Sequence, residues 1–305
     1  MVFLNSLKLF KSNWVKTLKF FLYYIIVWGI CFALILPSFF EFRSIISNNF
    51  ASAGIGFFGV FSGNVGINLQ GLIEVSVNTA LELFSVNLGL AIYGLLVLFV
   101  FLPFLINLGK YALSYTLYYY MTSNNEMLFL SALVKSLKRS LVFAFFKTLY
   151  NILFFAVTFS VLYGLSQIPN AFFIEFFMWV VVFVVLTLFF AFEQMTVLGW
   201  IPALIVFDCN VFSAFKKGVK AVRRHFVKTF VIAILYFAVF WALVMIFGVC
   251  IFALIIPAMT IVLCVYNMTA FFISQGMRFY ITPNKIMTPK KLEEVDNINK
   301  TAFIL

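Results

Sequence analysis

The sequence predicts an all-α, polytopic integral membrane protein. Six transmembrane helices form three parallel hairpins, each preceded by a basic amphipathic interfacial helix. Three observations carry this expectation. Of the 305 residues, 65% are hydrophobic and only 10% charged, with a mean hydropathy of +1.11. Soluble domains carry about 45–50% apolar and roughly 25% charged residues. Six apolar runs reach the ~20 residues that a hydrocarbon core requires. Finally, one short pattern recurs: Trp14-Val15-Lys16-Thr17-Leu18, Phe145-Phe146-Lys147-Thr148-Leu149 and Phe226-Val227-Lys228-Thr229-Phe230. Each copy follows a basic stretch and precedes an apolar run, as in a repeated structural unit.

The apolar runs lie at 19–40, 87–109, 146–165, 172–193, 229–249 and 251–274. After the fourth, apolar sequence continues past Glu193 to Asp208. Two crossings do not fit there, so one long, tilted or Pro202-bent helix is expected. Charge gives an independent test. An N-terminus inside places twenty of the 21 basic residues in the cytoplasm, leaving Arg43 outside with Glu41, Glu74, Glu82 and Glu175. This follows the positive-inside rule, and a seventh span would move six cations across. Both termini are therefore expected in the cytoplasm. The Lys-dotted start has no small-residue cleavage site and reads as an uncleaved first span. Helical spans and the charge rule together point to a bacterial cytoplasmic membrane.

Residues 1–282 form one membrane domain on this reading, followed by a polar cytoplasmic tail at 283–305. Hairpin 1 covers about 1–110 with an outer loop at 42–86; hairpin 2 covers 130–208, and hairpin 3 covers 211–280. The second and third copies of the pattern are 81 residues apart, and the first and second 131. The excess of 50 is the outer loop. Each unit has two crossings, so the repeats run parallel, unlike the inverted repeats of many secondary transporters.

The lead-in helices follow from spacing. Phe3, Leu7, Phe10 and Trp14 share one face of the first, and Leu130, Leu133, Leu137 and Leu141 share one face of the second. In the third, Val211, Phe215, Val219, Val222 and Phe226 oppose Lys216, Lys217, Lys220, Arg223 and Arg224. Apolar residues at three- and four-residue steps facing cations make helices suited to an anionic membrane surface. Those five cations and the repeated Lys16, Lys147 and Lys228 are the candidate lipid-phosphate contacts. The repeated lysines read mainly as snorkelling to phosphates beside an aromatic anchor, and otherwise as a ring around a central opening.

Ionisable groups at membrane depth are costly and become site candidates. Glu193 is the foremost, within Phe190-Ala191-Phe192-Glu193-Gln194; Lys110 and Gln275 occupy comparable points of the other hairpins. The three either converge on one internal site or mark the cytoplasmic ends of their helices. In the outer loop, no charge falls between Ser44 and Glu74, and six glycines from Gly54 to Gly71 alternate with apolar residues. That stretch is suited to re-entry or partner contact where protein shelters its backbone. From Leu72 to Phe84 the pattern turns helical.

No catalytic, cofactor or metal motif stands out. Cys31, Cys209, Cys250 and Cys264 form no Cys-x-x-Cys pair, and His225 is the one histidine, so a His-based metal site or triad lacks material. Gly54-x-Gly56-x-x-Gly59 lacks the strand–turn–helix context of a dinucleotide fingerprint. The basic patches alternate with membrane-length runs, which favours anionic phospholipid over nucleic acid.

The stretch Trp200-Ile201-Pro202-Ala203-Leu204-Ile205-Val206-Phe207-Asp208, running into Ser213-Ala214-Phe215-Lys216-Lys217, resembles bacterial six-span proteins related to the membrane domain of glycerophosphodiester phosphodiesterases. The resemblance covers residues 195–250 and implies a six-span fold. No soluble phosphodiesterase domain follows, so it implies no activity. The function expected is a non-enzymatic accessory or scaffold protein acting on lipid or a membrane complex, with a protein partner in the membrane as one form. The alternative is a small-molecule or lipid transporter.

Overall fold

A computed structural model describes residues 14–52, 69–122, 127–167, 175–223, 226–247, 252–274, 280–281 and 286–287. The chain is helical. In order come α1 (Trp14–Ser52), α2 (Leu69–Val86), α3 (Leu88–Leu96), a π-helical turn (Val97–Phe101) and α4 (Leu102–Thr122). They are followed by α5 (Phe129–Ser166), α6 (Glu175–Leu198), α7 (Trp200–Phe207), α8 (Val211–Arg223), α9 (Phe226–Phe247) and α10 (Phe252–Ser274). A short antiparallel ladder pairs Tyr280–Ile281 with Ile286–Met287, a local pairing that the sequence reading did not anticipate.

Among the described residues, four segments are long and apolar enough to cross a membrane: Leu18–Asn49, Leu88–Tyr119, Phe129–Ser166 and Val181–Phe207. The apolar helices α9 and α10 have 22 and 23 residues. In α5 the expected lead-in helix and span are one helix of 38 residues, roughly 57 Å at 1.5 Å per residue. The reason is local: from Phe129 to Tyr163 there is no glycine or proline to stop it. α1 likewise runs on to Ser52, and α2 replaces the end of the expected outer loop. The glycine-rich centre at 53–68, the first lead-in residues 1–13 and the tail at 288–305 lie outside the described residues.

The expected bend at Pro202 is not where the helix breaks. α6 ends at Leu198 and α7 begins at Trp200, with Gly199 between them. Pro202 falls in the first turn of α7, where a missing N–H removes no helical hydrogen bond. Farther back, the π turn at Val97–Phe101 ends two residues before Pro103. A proline ring excludes the carbonyl four residues earlier, and widening of the helix there accommodates it.

The described residues divide into two compact units, with dividing lines inside α1, α4, α5 and α6. The first comprises 1–26, 104–147 and 190–305; the second comprises 27–103 and 148–189. In the second unit α1 crosses α3 closely. The Ser38 hydroxyl donates to the Leu90 carbonyl at 3.0 Å, and a methyl group on Gly94 would lie 3.2 Å from Ser38 Cβ. Small residues permit this approach. Ile73 and Val182 are buried there with Leu162, Leu165 and Leu186 around them. The Asn87 side chain caps α3 by accepting from Leu90 N–H at 3.1 Å. In the first unit Tyr23 lies across Gly109 and donates its hydroxyl to the Leu105 carbonyl at 2.6 Å. Ala191, Met195, Leu198, Val222, Ala233 and Tyr266 form one apolar cluster in its core.

Which face of a helix is buried follows residue size more than hydrophobicity. On α5 the buried residues Ala132, Ser136, Ser140, Ala144 and Thr148 recur at four-residue steps. The leucines Leu130, Leu137 and Leu141 remain exposed, at 73%, 42% and 40%. Ser136 donates to the Ala132 carbonyl and Ser140 to that of Leu137, so neither hydroxyl needs another partner. Against lipid, bulky apolar chains gain nothing by turning inward, while small ones let backbones approach.

Candidate functional site

α5 and α6 bring Lys147 and Glu193 together inside the first unit. Lys147 Nζ donates to Glu193 Oε1 at 2.5 Å, and the residues are 8% and 6% exposed. Gln194 Nε2 donates to the other carboxylate oxygen, Oε2, at 2.8 Å. Both carboxylate oxygens are therefore satisfied. This corrects the expectation that Lys147 contacts lipid phosphate. Its side chain continues the small-residue face of α5, which turns it into protein, where only a carboxylate makes a buried ammonium tolerable. That stripe of Ala and Ser was the signal available for the placement.

Beside the pair, Tyr111 of α4 meets Phe143 of α5 with ring centroids 5.7 Å apart. Lys110 precedes Tyr111 on α4 and is partly buried. Two of the three intramembrane candidates, Glu193 and Lys110, belong to the first unit; Gln275 lies outside the described residues. The Tyr24 and Thr260 hydroxyls, 3.4 Å apart, add polar atoms to the same unit's interior. Between α6, α9 and α10 a narrow apolar cleft is lined by Gln194, Leu198, Ile232, Tyr236, Val262 and Tyr266.

The second feature is the corner made by α7 and α8. A methyl group on Gly199 would stand 2.6 Å from Gly218 Cα, and one on Gly218 would stand 2.6 Å from the Gly199 carbonyl carbon. The two backbones touch. Trp200 Nε1 donates to the Val211 carbonyl at 2.9 Å, and its ring packs edge-on against Phe143 and Phe215 at 5.4 and 4.8 Å. Asp208 ends α7 in the left-handed conformation, φ 51° and ψ 38°, and pairs with Arg139 at the surface. Asp is among the few residues other than glycine that adopt this conformation readily.

With Val211, Ala214, Gly218, Ala221 and Val222 buried, α8 leaves Lys216, Lys217, Lys220 and Arg223 exposed. Lys217 Nζ lies 4.6 Å above the centroid of the Phe207 ring, a cation–π contact. Arg224 and the side chains of Lys16 and Lys228 lie outside the described residues. Of the apolar face expected on this helix, Val211 and Val222 are buried, Phe215 and Val219 are half-buried and Phe226 is exposed. The missed members are Ala214, Gly218 and Ala221, whose side chains are too small to register as an apolar stripe. Among the described residues, no three His, Cys, Asp or Glu side chains cluster as metal ligands.

Comparison with family models, curated proteins and solved structures yields no match to this chain.

Proposed function

We propose that this protein is a non-enzymatic membrane accessory protein that gathers anionic lipid at the cytoplasmic surface through α8. One observation carries this reading. Four cations are exposed on α8, while its opposite face is fixed to α7 by backbone contact at Gly199 and Gly218. A rigid array loses little conformational freedom on binding, and each cation near an anionic surface contributes about 1 kcal/mol. A lipid-organising role of this kind would place protein partners of a membrane complex beside the same surface.

The accompanying topology is six spans in three parallel hairpins, with both termini in the cytoplasm of a bacterial cell. The lengths of α9 and α10, 22 and 23 residues, support the third hairpin. Reporter fusions at 125 and 280 should report cytoplasm, and one at 60 should report the outside. Relationship to the six-span proteins named above rests on residues 200–208 and 213–217 of the α7–α8 corner.

The test of function is lipid selectivity in mixed bilayers. Changing Lys216, Lys217, Lys220 and Arg223 to Gln should abolish enrichment of anionic over zwitterionic lipid around the protein, with helicity unchanged. Unchanged enrichment would refute the reading. A second reading, transport, draws on the buried Lys147–Glu193 pair, since carboxylates within spans serve many transporters. It requires Glu193→Gln to stop uptake of a solute by a protein that remains folded.

A further inference from the structure

The first turns of α5 lie across α4 rather than along it. Phe129, at the start of α5, packs against Phe20 and Tyr23 of α1, with ring centroids 6.0 and 5.5 Å apart. Tyr23 in turn reaches α4 at Leu105 and Gly109. Fourteen residues after Phe129, Phe143 meets Tyr111 of α4. At 1.5 Å per residue, α5 advances about 21 Å between these contacts while α4 advances only about 3–9 Å. The two axes therefore cross steeply. α4 belongs to the segment Leu88–Tyr119, which is apolar enough to cross a membrane; with α4 in that position, the start of α5 runs close to the membrane plane.

This part of α5 has three faces. Ala132, Ser136, Ser140 and Phe143 are buried against protein. Leu130, Val134, Leu137 and Leu141 are exposed, as are Lys135 and Lys138 on a third side. At 3.6 residues per turn the three sectors point roughly 100–135° apart. Leu133, expected on the apolar face, is half-buried, and Val134, 68% exposed, takes its place. The exposed apolar ridge continues along α5 through Phe145, Leu149 and Leu153. It is thus continuous with the ridge that a crossing helix turns to lipid, and lysines rather than carboxylates flank it.

We propose that residues 129–142 of α5 form a wedge in the cytoplasmic leaflet, through which the protein senses lipid packing. The apolar ridge lies among acyl chains, and Lys135 and Lys138 reach the phosphates of anionic lipid. An apolar helix face enters a leaflet most readily where the headgroups are loosely packed, so the protein gathers where that leaflet is expanded. The inference rests on the topology proposed above and is independent of the α8 cations.

The experiment places nitroxide labels at Leu130→Cys, Val134→Cys, Leu137→Cys and Lys135→Cys, each on a chain whose four native cysteines are replaced by alanine. The protein is held in vesicles of phosphatidylcholine and phosphatidylglycerol. Oxygen, which dissolves in acyl chains, should reach the labels replacing Leu130, Val134 and Leu137 better than a water-soluble nickel chelate does. The label replacing Lys135 should show the reverse. Better access for nickel than for oxygen at the three apolar positions would put the ridge in water. Poor access for both would put a second copy or another protein over it, and either result overturns the proposal. Sensing is measured with the native cysteines in place, in giant vesicles of the same lipids that carry the protein with its lysine-bearing face outward. Thin tubes pulled from these vesicles expand the outer leaflet. Wild type should be enriched in the tube over the parent membrane, and the triple variant Leu130→Ser, Val134→Ser, Leu137→Ser should lose that enrichment with helicity unchanged. Absence of enrichment in wild type, or equal enrichment in the triple variant, would overturn the proposal. The α8 variant should keep the tube enrichment, and the triple variant should keep the selectivity for anionic lipid, so either idea can fail alone.

Discussion

Removing one partner of the Lys147–Glu193 pair should cost much more than removing both. With the residues 8% and 6% exposed, the carboxylate left by Lys147→Met has little access to water. Gln194 still donates to Oε2, but one neutral amide cannot replace an ammonium. Breaking a buried pair in this way costs about 3–5 kcal/mol. The double variant Lys147→Met with Glu193→Leu removes both charges and fills much of the same volume with apolar groups. Such exchanges are often neutral or stabilising, so the double variant should recover to within about 1–2 kcal/mol of wild type. Equilibrium unfolding in mixed detergent micelles, followed by circular dichroism, measures all four corners of this cycle. The coupling energy should be large and of the sign that makes the double variant more stable than the Lys147→Met single. Additive losses, or a Lys147→Met variant as stable as wild type, would refute the reasoning that these side chains are buried against each other.

Three further outcomes follow from the first unit. Gly218→Ala places a methyl group 2.6 Å from the Gly199 carbonyl carbon and 2.9 Å from Trp200 N. Since backbone cannot rotate aside, overpacking should cost about 1–3 kcal/mol and lower the melting temperature; an unchanged melting temperature would show that α7 and α8 lie farther apart. Trp200→Phe removes the donor to the Val211 carbonyl and should lose about 0.5–1.5 kcal/mol in the same unfolding assay, plus the cost of the smaller ring. Arg139→Ala removes an ion pair whose side chains are 55% and 63% exposed. It should change stability by no more than about 1 kcal/mol, and a large loss would mean that Arg139 has another role.

Apolar runs of sufficient length made the helices legible, because crossing hydrocarbon without water forces every backbone group into a helical hydrogen bond. The spans within the segments 18–49, 88–119 and 129–166 were accordingly readable from hydropathy alone, and the helical pattern from Leu72 to Phe84 anticipated part of the helix at 69–86. Glu193 stood out for a similarly simple reason: one carboxylate within an apolar run is expensive. Its partner was not readable. Lys147 belongs to a repeated aromatic–Lys–Thr pattern, and the repetition favoured a shared role at the membrane surface.

Composition and periodicity by themselves therefore determined that the chain is helical with segments suited to a membrane, where most helices run and that one carboxylate, Glu193, lies within an apolar run. They act through transfer between water and hydrocarbon, which depends on each residue singly. Only the tertiary structure decided which faces meet. Leu137 and Leu141 face outward while Ser136, Ser140 and Ala144 face inward, and Gly199 rather than Pro202 makes the break. Once a helix lies in lipid, apolar surface is indifferent to facing lipid or protein. Close approach, hydrogen bonding and charge pairing then choose the contacts, and those depend on pairs of residues such as Gly199 with Gly218 and Lys147 with Glu193, far apart in the chain.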